Sequence, residues 1–204
     1  MQPAGNYYDK YHTRNPVARW LMDGFLDTFE TLLGKVGPCE SALEAGCGEG
    51  ELTIRVAQRT GASVAAFDIS PEVVRETGQR ALAAGVADRI RFRADSIYDL
   101  SPERDAADLV ICCEVLEHLD NPQLAVERLA AICKGHLITS VPREPLWRVL
   151  NMARGKYWRD LGNTPGHYQH WSSRGFRQLL ETHFDVVELH TPTPWTMALC
   201  RPRR

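Results

Sequence analysis

The chain has 204 residues, of which 44% are hydrophobic, enough to bury one substantial core and with nothing that forces a second domain. A formal net charge of −2 gives the surface as a whole no electrostatic reason to seek a polyanion, and no apolar run approaches the roughly 20 residues that cross a bilayer. Cys39, Cys47, Cys112, Cys113, Cys133 and Cys200 form no C-x-x-C pair and lie mostly in apolar stretches. They read as reduced, buried thiols of a cytoplasmic protein without a secretory leader, not as a disulfide frame or zinc knuckle.

Residues 6–34 read as helical and form most of an N-terminal arm, 1–36, ahead of the sheet. Short apolar runs then alternate with helix-length amphipathic stretches, the pattern of a parallel sheet covered on both faces. Strands are expected at about 41–46, 63–68, 90–94, 107–113, 135–141, 184–190 and 195–200, with helices at about 49–60, 71–84 and 121–133. Ser70-Pro71 and Asn121-Pro122 each place a capping side chain before a proline at the first helical position, and Gly85 closes the second of these helices. Only Thr191-Pro-Thr-Pro194 separates the last two strands, too little for a crossover helix, so they should form an antiparallel hairpin. The expected fold class is therefore α/β, a three-layer sandwich with a seven-stranded, mostly parallel sheet, in one domain over 1–204.

The first strand runs into Leu43-Glu44-Ala45-Gly46-Cys47-Gly48-Glu49-Gly50. Glycines at alternate positions let the backbone turn sharply into a helix and approach a ligand where a Cβ would clash or forbid positive φ. The spacing is G-x-G-x-G, not the G-x-G-x-x-G of dinucleotide binders, and Glu44 would repel a pyrophosphate while attracting a cationic amino group. S-adenosylmethionine (SAM) fits this turn better than NAD. Asp68, ending the second strand 22 residues after Gly46, can accept from both ribose hydroxyls.

With these motifs in order at strand ends, the chain resembles class I SAM-dependent methyltransferases over nearly its whole length. The resemblance implies a Rossmann-like sandwich with one cleft at the strands' carboxyl ends. It assigns the amino end of SAM to Glu44, close backbone approach to Gly46 and Gly48, the ribose to Asp68, and the adenine to Ile69, Asp95 and Ser96. Cys113, ending the fourth strand, would lie beside the methionine moiety. Arg19 and the tyrosines of Asn6-Tyr7-Tyr8-Asp9-Lys10-Tyr11 either fold over the cofactor, Arg19 meeting its carboxylate, or belong to an ordinary amphipathic helix.

Directly after the fourth strand stands Glu114-Val-Leu-Glu117-His118. If it opens a helical turn, residues 114, 117 and 118 are i, i+3 and i+4 neighbours, so two carboxylates and an imidazole share one face. Without a metal, the same acids favour a helix start and His118 caps or packs. The later Gly166-His167-Tyr168-Gln169-His170-Trp171-Ser172 adds imidazoles. Together the two segments resemble two metal-using branches, the ubiquinone-pathway O-methyltransferases and the small-RNA 3′-terminal 2′-O-methyltransferases. That likeness implies Glu114, Glu117, His118 and His167 as ligands, with His170 the runner-up for the fourth place. The mixed donors suit Mg²⁺, Mn²⁺, Co²⁺, Fe²⁺ or Zn²⁺. Such an ion would lower the pKa of an acceptor hydroxyl, and His118 or His170, if unligated, could take its proton.

Between the fifth strand and those histidines lies an insertion, within 142–171. Arg143, Arg148, Arg154, Lys156 and Arg159 there oppose only Glu144 and Asp160, beside apolar Trp147, Leu150, Tyr157 and Trp158. It reads as a substrate lid, as an interfacial helix on anionic lipid through 143–160, or as a phosphate-binding patch. The acceptor expected is a small hydroxylated molecule, with RNA 2′-O-methylation or metal-free N- or carboxyl methylation as alternatives. Arg201-Pro-Arg-Arg204 reads as a solvated tail.

Overall fold

The computed structural model describes residues 15–203, so the tyrosines at 7, 8 and 11 lie outside the described residues. Seven strands form one sheet: β1 (Ser41–Ala45), β2 (Ser63–Asp68), β3 (Ile90–Ala94), β4 (Ala107–Cys113), β5 (Cys133–Pro142), β6 (Phe184–His190) and β7 (Trp195–Pro202). Their spatial order is β3-β2-β1-β4-β5-β7-β6. β1 to β5 are parallel, in registers such as Leu43 against Ala65 and against Val110. β7 runs antiparallel to both β5 and β6, which is the expected terminal hairpin.

Helices cover both faces. α1 (Pro16–Val36), α2 (Glu51–Thr60) and α3 (Pro71–Ala83) pack on one side around Phe25, Phe29, Val56 and Ala81 with strand residues Val64, Ile111 and Met197. α5 (Pro122–Ile132) and α7 (Ser173–Leu180) pack on the other, around Leu129, Ile132, Phe176 and Leu180 with Val110 and Leu137. Alternate strand positions feed opposite cores, and β4, buried on both faces, is apolar at every position but Asp108.

The helix starts follow the sequence signals. Asn15 Oδ1 accepts from Val17 N at 2.9 Å and Ala18 N at 3.2 Å, Ser70 Oγ from Val73 N at 3.3 Å, and Asn121 Oδ1 from Leu124 N at 3.1 Å, each with proline at the first helical position. α2 begins at Glu51, two residues later than expected, because Gly48 and Gly50 take positive φ and remain in the turn. The insertion carries α6 (Leu146–Ala153), and a short α4 (Pro102–Asp105) precedes β4. Through Arg203 the C-terminal segment is exposed as expected but continues the sheet and is no tail, and Arg204 lies outside the described residues. β7 continues to Pro202, Arg201 Nε donates to His136 Nε2 at 3.0 Å, and Arg203 Nε meets Asp185 at 2.8 Å.

Candidate active site

In an open parallel sheet the ligand crevice lies at the strands' carboxyl ends where the order reverses, here between β1 and β4. The turn after β1 is built for that place. Gly46 has φ +76°, and a Cβ there would collide with the Val115 side chain, so only glycine lets this backbone pass under the loop after β4. Gly50 is likewise closed, a Cβ there running into the Thr77 side chain, whereas a Cβ at Gly48 would meet nothing within 4 Å, so Gly48 is the open point of the turn.

Asp68 ties the turn to β2: its Oδ2 accepts from Gly48 N at 3.2 Å and its Oδ1 from Ser70 N at 3.1 Å. Ile69 beside it is 64% exposed. Glu44 lies beneath the turn, 3% exposed, accepting a hydrogen bond from Thr53 Oγ1 of α2. Burial, with the neighbouring Asp68 charge adding to it against the Thr53 hydrogen bond, pushes this carboxyl up to about 8. Asp95 sits in a cationic frame. Its Oδ2 is 2.8 Å from both Arg93 Nε and Arg104 Nη2, and its Oδ1 accepts from Ser96 N at 2.9 Å. Arg93 and Arg104 also hold the buried Asp105, and Ser96 Oγ caps the next turn through Tyr98 N at 3.3 Å. Cys113 is buried against the Ile138 carbonyl, and burial raises its thiol well above the usual range, so it is neutral. Arg19 is exposed on the first turn of α1.

The second half of the crevice follows β4, and here the structure corrects the expected helical face. Glu114 takes φ +60°, a left-handed conformation uncommon for a side-chain-bearing residue, and the 3₁₀ turn begins only at Leu116. Glu114 is consequently turned onto the sheet. Its Oε1 accepts from Ser140 Oγ at 3.0 Å and its Oε2 from Trp195 Nε1 at 2.7 Å. Glu117, His118 and His167 come together instead, with one ligand atom from each within 4.8 Å of the others. Glu117 and His167 are buried, and the two imidazoles pack edge to face at 4.8 Å.

The loop carrying His167 is tied to the turn carrying Glu117. Tyr168 N and Gln169 N both donate to the Glu117 carbonyl, at 2.8 and 3.1 Å. His118 Nδ1 lies 2.8 Å from the Gly166 carbonyl. A carbonyl only accepts, so Nδ1 carries a proton, and the other ring nitrogen, Nε2, faces the cluster side, 4.0 Å from Glu117 Oε1. His170, the other candidate, is outside the cluster, its Nε2 2.7 Å from Asn163 Oδ1 on the exposed side. Trp195, Ser140 and the two arginines around Asp95 were not marked by sequence, and Trp147 was read only as part of the apolar face of the insertion. Ser140 and Trp195 meet Glu114 across 26 and 81 residues, and no local pattern announces such a pairing.

A family model described as a methyltransferase domain matches residues 17–189. The ubiquinone biosynthesis O-methyltransferase of Xanthomonas euvesicatoria pv. vesicatoria is 34% identical over 124 residues, 60% of this chain and 47% of that protein. Its counterpart in Xanthomonas axonopodis pv. citri is 37% identical over 93 residues, 45% of this chain and 38% of that protein. The chain thus spans about half the length, or less, of the curated relatives it matches. Among solved structures, the N-methyltransferase NodS of Bradyrhizobium japonicum WM9 with S-adenosyl-L-homocysteine (SAH) superposes with a TM-score of 0.72 at 19% identity, covering 97% of this chain and 94% of that one. The magnesium protoporphyrin IX methyltransferase of Synechocystis PCC 6803 with bound SAH gives 0.71 at 21% identity, covering 95% and 90%. Both likenesses concern the fold.

Proposed function

The chain belongs to the methyltransferase-domain family of class I, SAM-dependent fold, and from that premise we propose that it moves the methyl group of SAM to a hydroxyl of a small acceptor bearing vicinal hydroxyls, with help from a divalent cation. The observation that carries this reading is the meeting of two built half-sites on one sheet edge. The glycine turn, open at Gly48, with Glu44 and Asp68 ends β1 and β2, and the Glu117–His118–His167 cluster follows β4.

The donor half is a matter of binding and alignment. Glu44 neutralises the ammonium of the methionine moiety, Gly46 and Gly48 let the backbone close on the ligand, and Asp68 takes the ribose hydroxyls. Ile69 covers the adenine, and Asp95, held by Arg93 and Arg104, turns its carboxylate to the adenine amine beside Ser96. Cys113 lines the methionine end as a neutral, non-nucleophilic thiol, and Arg19 faces the carboxylate from α1. In-line displacement at a sulfonium needs little from the protein beyond such positioning and an electron-rich oxygen.

The acceptor half supplies that oxygen. One carboxylate and two imidazoles fit a three-ligand site open to further oxygens, and the carbonyl behind His118 fixes its tautomer as such sites require. A bound Mg²⁺, Mn²⁺, Co²⁺, Fe²⁺ or Zn²⁺ would lower the pKa of a coordinated hydroxyl. Of the two histidines read as bases, His118 stands in the cluster and takes the hydroxyl proton where no ion is held. The relatives' printed name, an O-methyltransferase of ubiquinone biosynthesis, agrees with a small hydroxylated acceptor. Six free cysteines suit a reducing cytoplasm.

The test is mass spectrometry of products and of SAH after incubation with SAM and a panel of catechols, monophenols, amines and carboxylic acids. Enzyme stripped by chelator is run beside enzyme with each ion restored. Methylation of a vicinal diol that needs a restored ion is the expected result. Turnover confined to amines or acids, unaffected by chelation, refutes the acceptor and the ion together. Labelled RNA titrated at two salt concentrations decides the nucleic-acid alternative, because phosphate contacts weaken steeply with salt.

A further inference from the structure

The insertion was open to three readings, and its internal bonding shows what it holds. Three buried polar residues, Asn151, Thr164 and His167, join α6 to the loop that follows it. Asn151 Nδ2 donates to the Gly162 carbonyl at 2.8 Å and to Thr164 Oγ1 at 3.1 Å, and Arg148 Nε donates to the Leu161 carbonyl at 2.8 Å. At Gly162 the loop comes so near that a Cβ would run into the Arg148 carbonyl. Trp147 completes the seam. Its Nε1 donates to Thr164 Oγ1 at 3.0 Å, and its ring stacks on His167 with centroids 5.8 Å apart and planes inclined by 27°. Behind it stands Trp195 at 5.9 Å, whose own indole holds Glu114 and meets Phe25 of α1 edge-on at 5.0 Å.

We propose that Trp147 is a positioning residue for His167, so that the cluster with Glu117 and His118 has its geometry only while α6 is seated. The inference rests on the ion-binding reading of that cluster and deepens it. The physics is that of an outer-shell partner: an imidazole has two side-chain torsions to lose, and the Trp147 face stacked on it, with the His118 ring packed edge to face at 4.8 Å, restrains both. His167 N is itself bonded to the Thr164 carbonyl at 3.0 Å, so the residue that receives the Trp147 indole also fixes the His167 backbone. A ring serving only as filler would lie inside the core. Trp147 packs at the core margin and spends its one polar group on the ligand loop.

The experiment compares wild type, Trp147→Ala and Trp147→Phe by the visible absorption of added Co²⁺, by calorimetric SAH affinity, and by long-range ¹H–¹⁵N spectra of the histidine rings. Phenylalanine keeps the stacked face and loses only the indole hydrogen bond. Trp147→Ala is expected to weaken Co²⁺ binding by about 10- to 100-fold, the usual range for an outer-shell partner, with Trp147→Phe recovering most of it. SAH affinity, read at the other half-site, should be unchanged in both, which excludes general misfolding. Co²⁺ binding by Trp147→Ala as tight as by wild type overturns the inference. If wild type itself takes no Co²⁺, the ion-binding reading fails, and the ring spectra decide alone: His167 resonances unmoved in Trp147→Ala overturn it, and a displacement reversed by Trp147→Phe upholds it.

Discussion

Replacing Glu44 by glutamine should make the protein more stable in mild alkali and leave it unchanged in acid. The wild-type carboxyl titrates near 8 in the folded chain, against an ordinary value of 4.5, because burial disfavours its charge. Below pH 4.5 both states hold the proton and the group contributes nothing to the difference. Between 4.5 and 8 the folded state keeps a proton that the unfolded state has released, so stability falls as pH rises, and above 8 the penalty is constant. A gap of about 3.5 units at 1.36 kcal/mol each sets a ceiling of about 5 kcal/mol. Glutamine is isosteric, still accepts from Thr53 Oγ1, and carries no such penalty. Urea unfolding of both proteins at pH 5, 7 and 9, under reducing conditions and without ligand, reads the difference directly. The expected gap is below about 1 kcal/mol at pH 5 and roughly 2 to 4 kcal/mol at pH 9, in favour of Glu44→Gln. Parallel stability curves across that range would refute the reasoning, since they would mean that Glu44 ionises in the folded chain as it does in water.

The same group ties ligand binding to protons. An ammonium arriving at a protonated Glu44 expels its proton, so SAH binding at pH 7 should release close to one proton in wild type and none in Glu44→Gln, measured by calorimetry in buffers of different ionisation enthalpy. Gly46→Ala forces a Cβ into Val115 at φ +76° and should cost about 2 to 3 kcal/mol in denaturant unfolding. Adding Val115→Ala should restore only part of that, because the clash is relieved and the backbone strain is not. Elemental analysis after metal loading separates the two glutamates: Glu117→Gln should lose the ion, and Glu114→Gln should retain wild-type stoichiometry.

The sheet was legible because strands buried on both faces must be largely apolar, as β4 is at every position but Asp108, and because Asn-Pro and Ser-Pro mark helix starts by local chemistry alone. The glycine turn was legible because positive φ at Gly46, Gly48 and Gly50 is a local property of glycine, whereas the bond from Gly48 N to Asp68 and the packing of Gly46 under Val115 reach far along the chain. What the spacing could not reveal was the conformation of Glu114. Reading E-x-x-E-H as one face assumes a helical period from its first residue, and that period begins only at Leu116. The left-handed turn at 114 is held by Ser140 and Trp195, 26 and 81 residues away. In the insertion, counting charges suggested a surface for anions, yet Arg148 and Arg154 are engaged with the insertion's own carbonyls and with Asn151. The 3₁₀ turns and α4 escaped because elements of three or four residues carry no periodic signal.

The diversion of Glu114 changes the chemistry expected of the cluster. Two carboxylates and two imidazoles would neutralise a divalent ion, whereas Glu117 with neutral His118 and His167 leaves it one net positive charge. On a bound ion, that residual charge would act on whatever oxygen shared the site and lower the pKa of a coordinated hydroxyl. If the cluster holds an ion, the bonds from Ser140 and Trp195 to Glu114 keep a second carboxylate out of its ligand set. Breaking them tests this. In Ser140→Ala combined with Trp195→Phe, Glu114 loses the two hydrogen bonds that turn it onto the sheet, and its carboxylate is expected to shift toward the cluster. Ion affinity should then rise, and the pH at which methyl transfer reaches half its maximum should move upward. A double variant with unchanged affinity and an unchanged pH profile would show that Glu114 is set by its own backbone and not by those two partners.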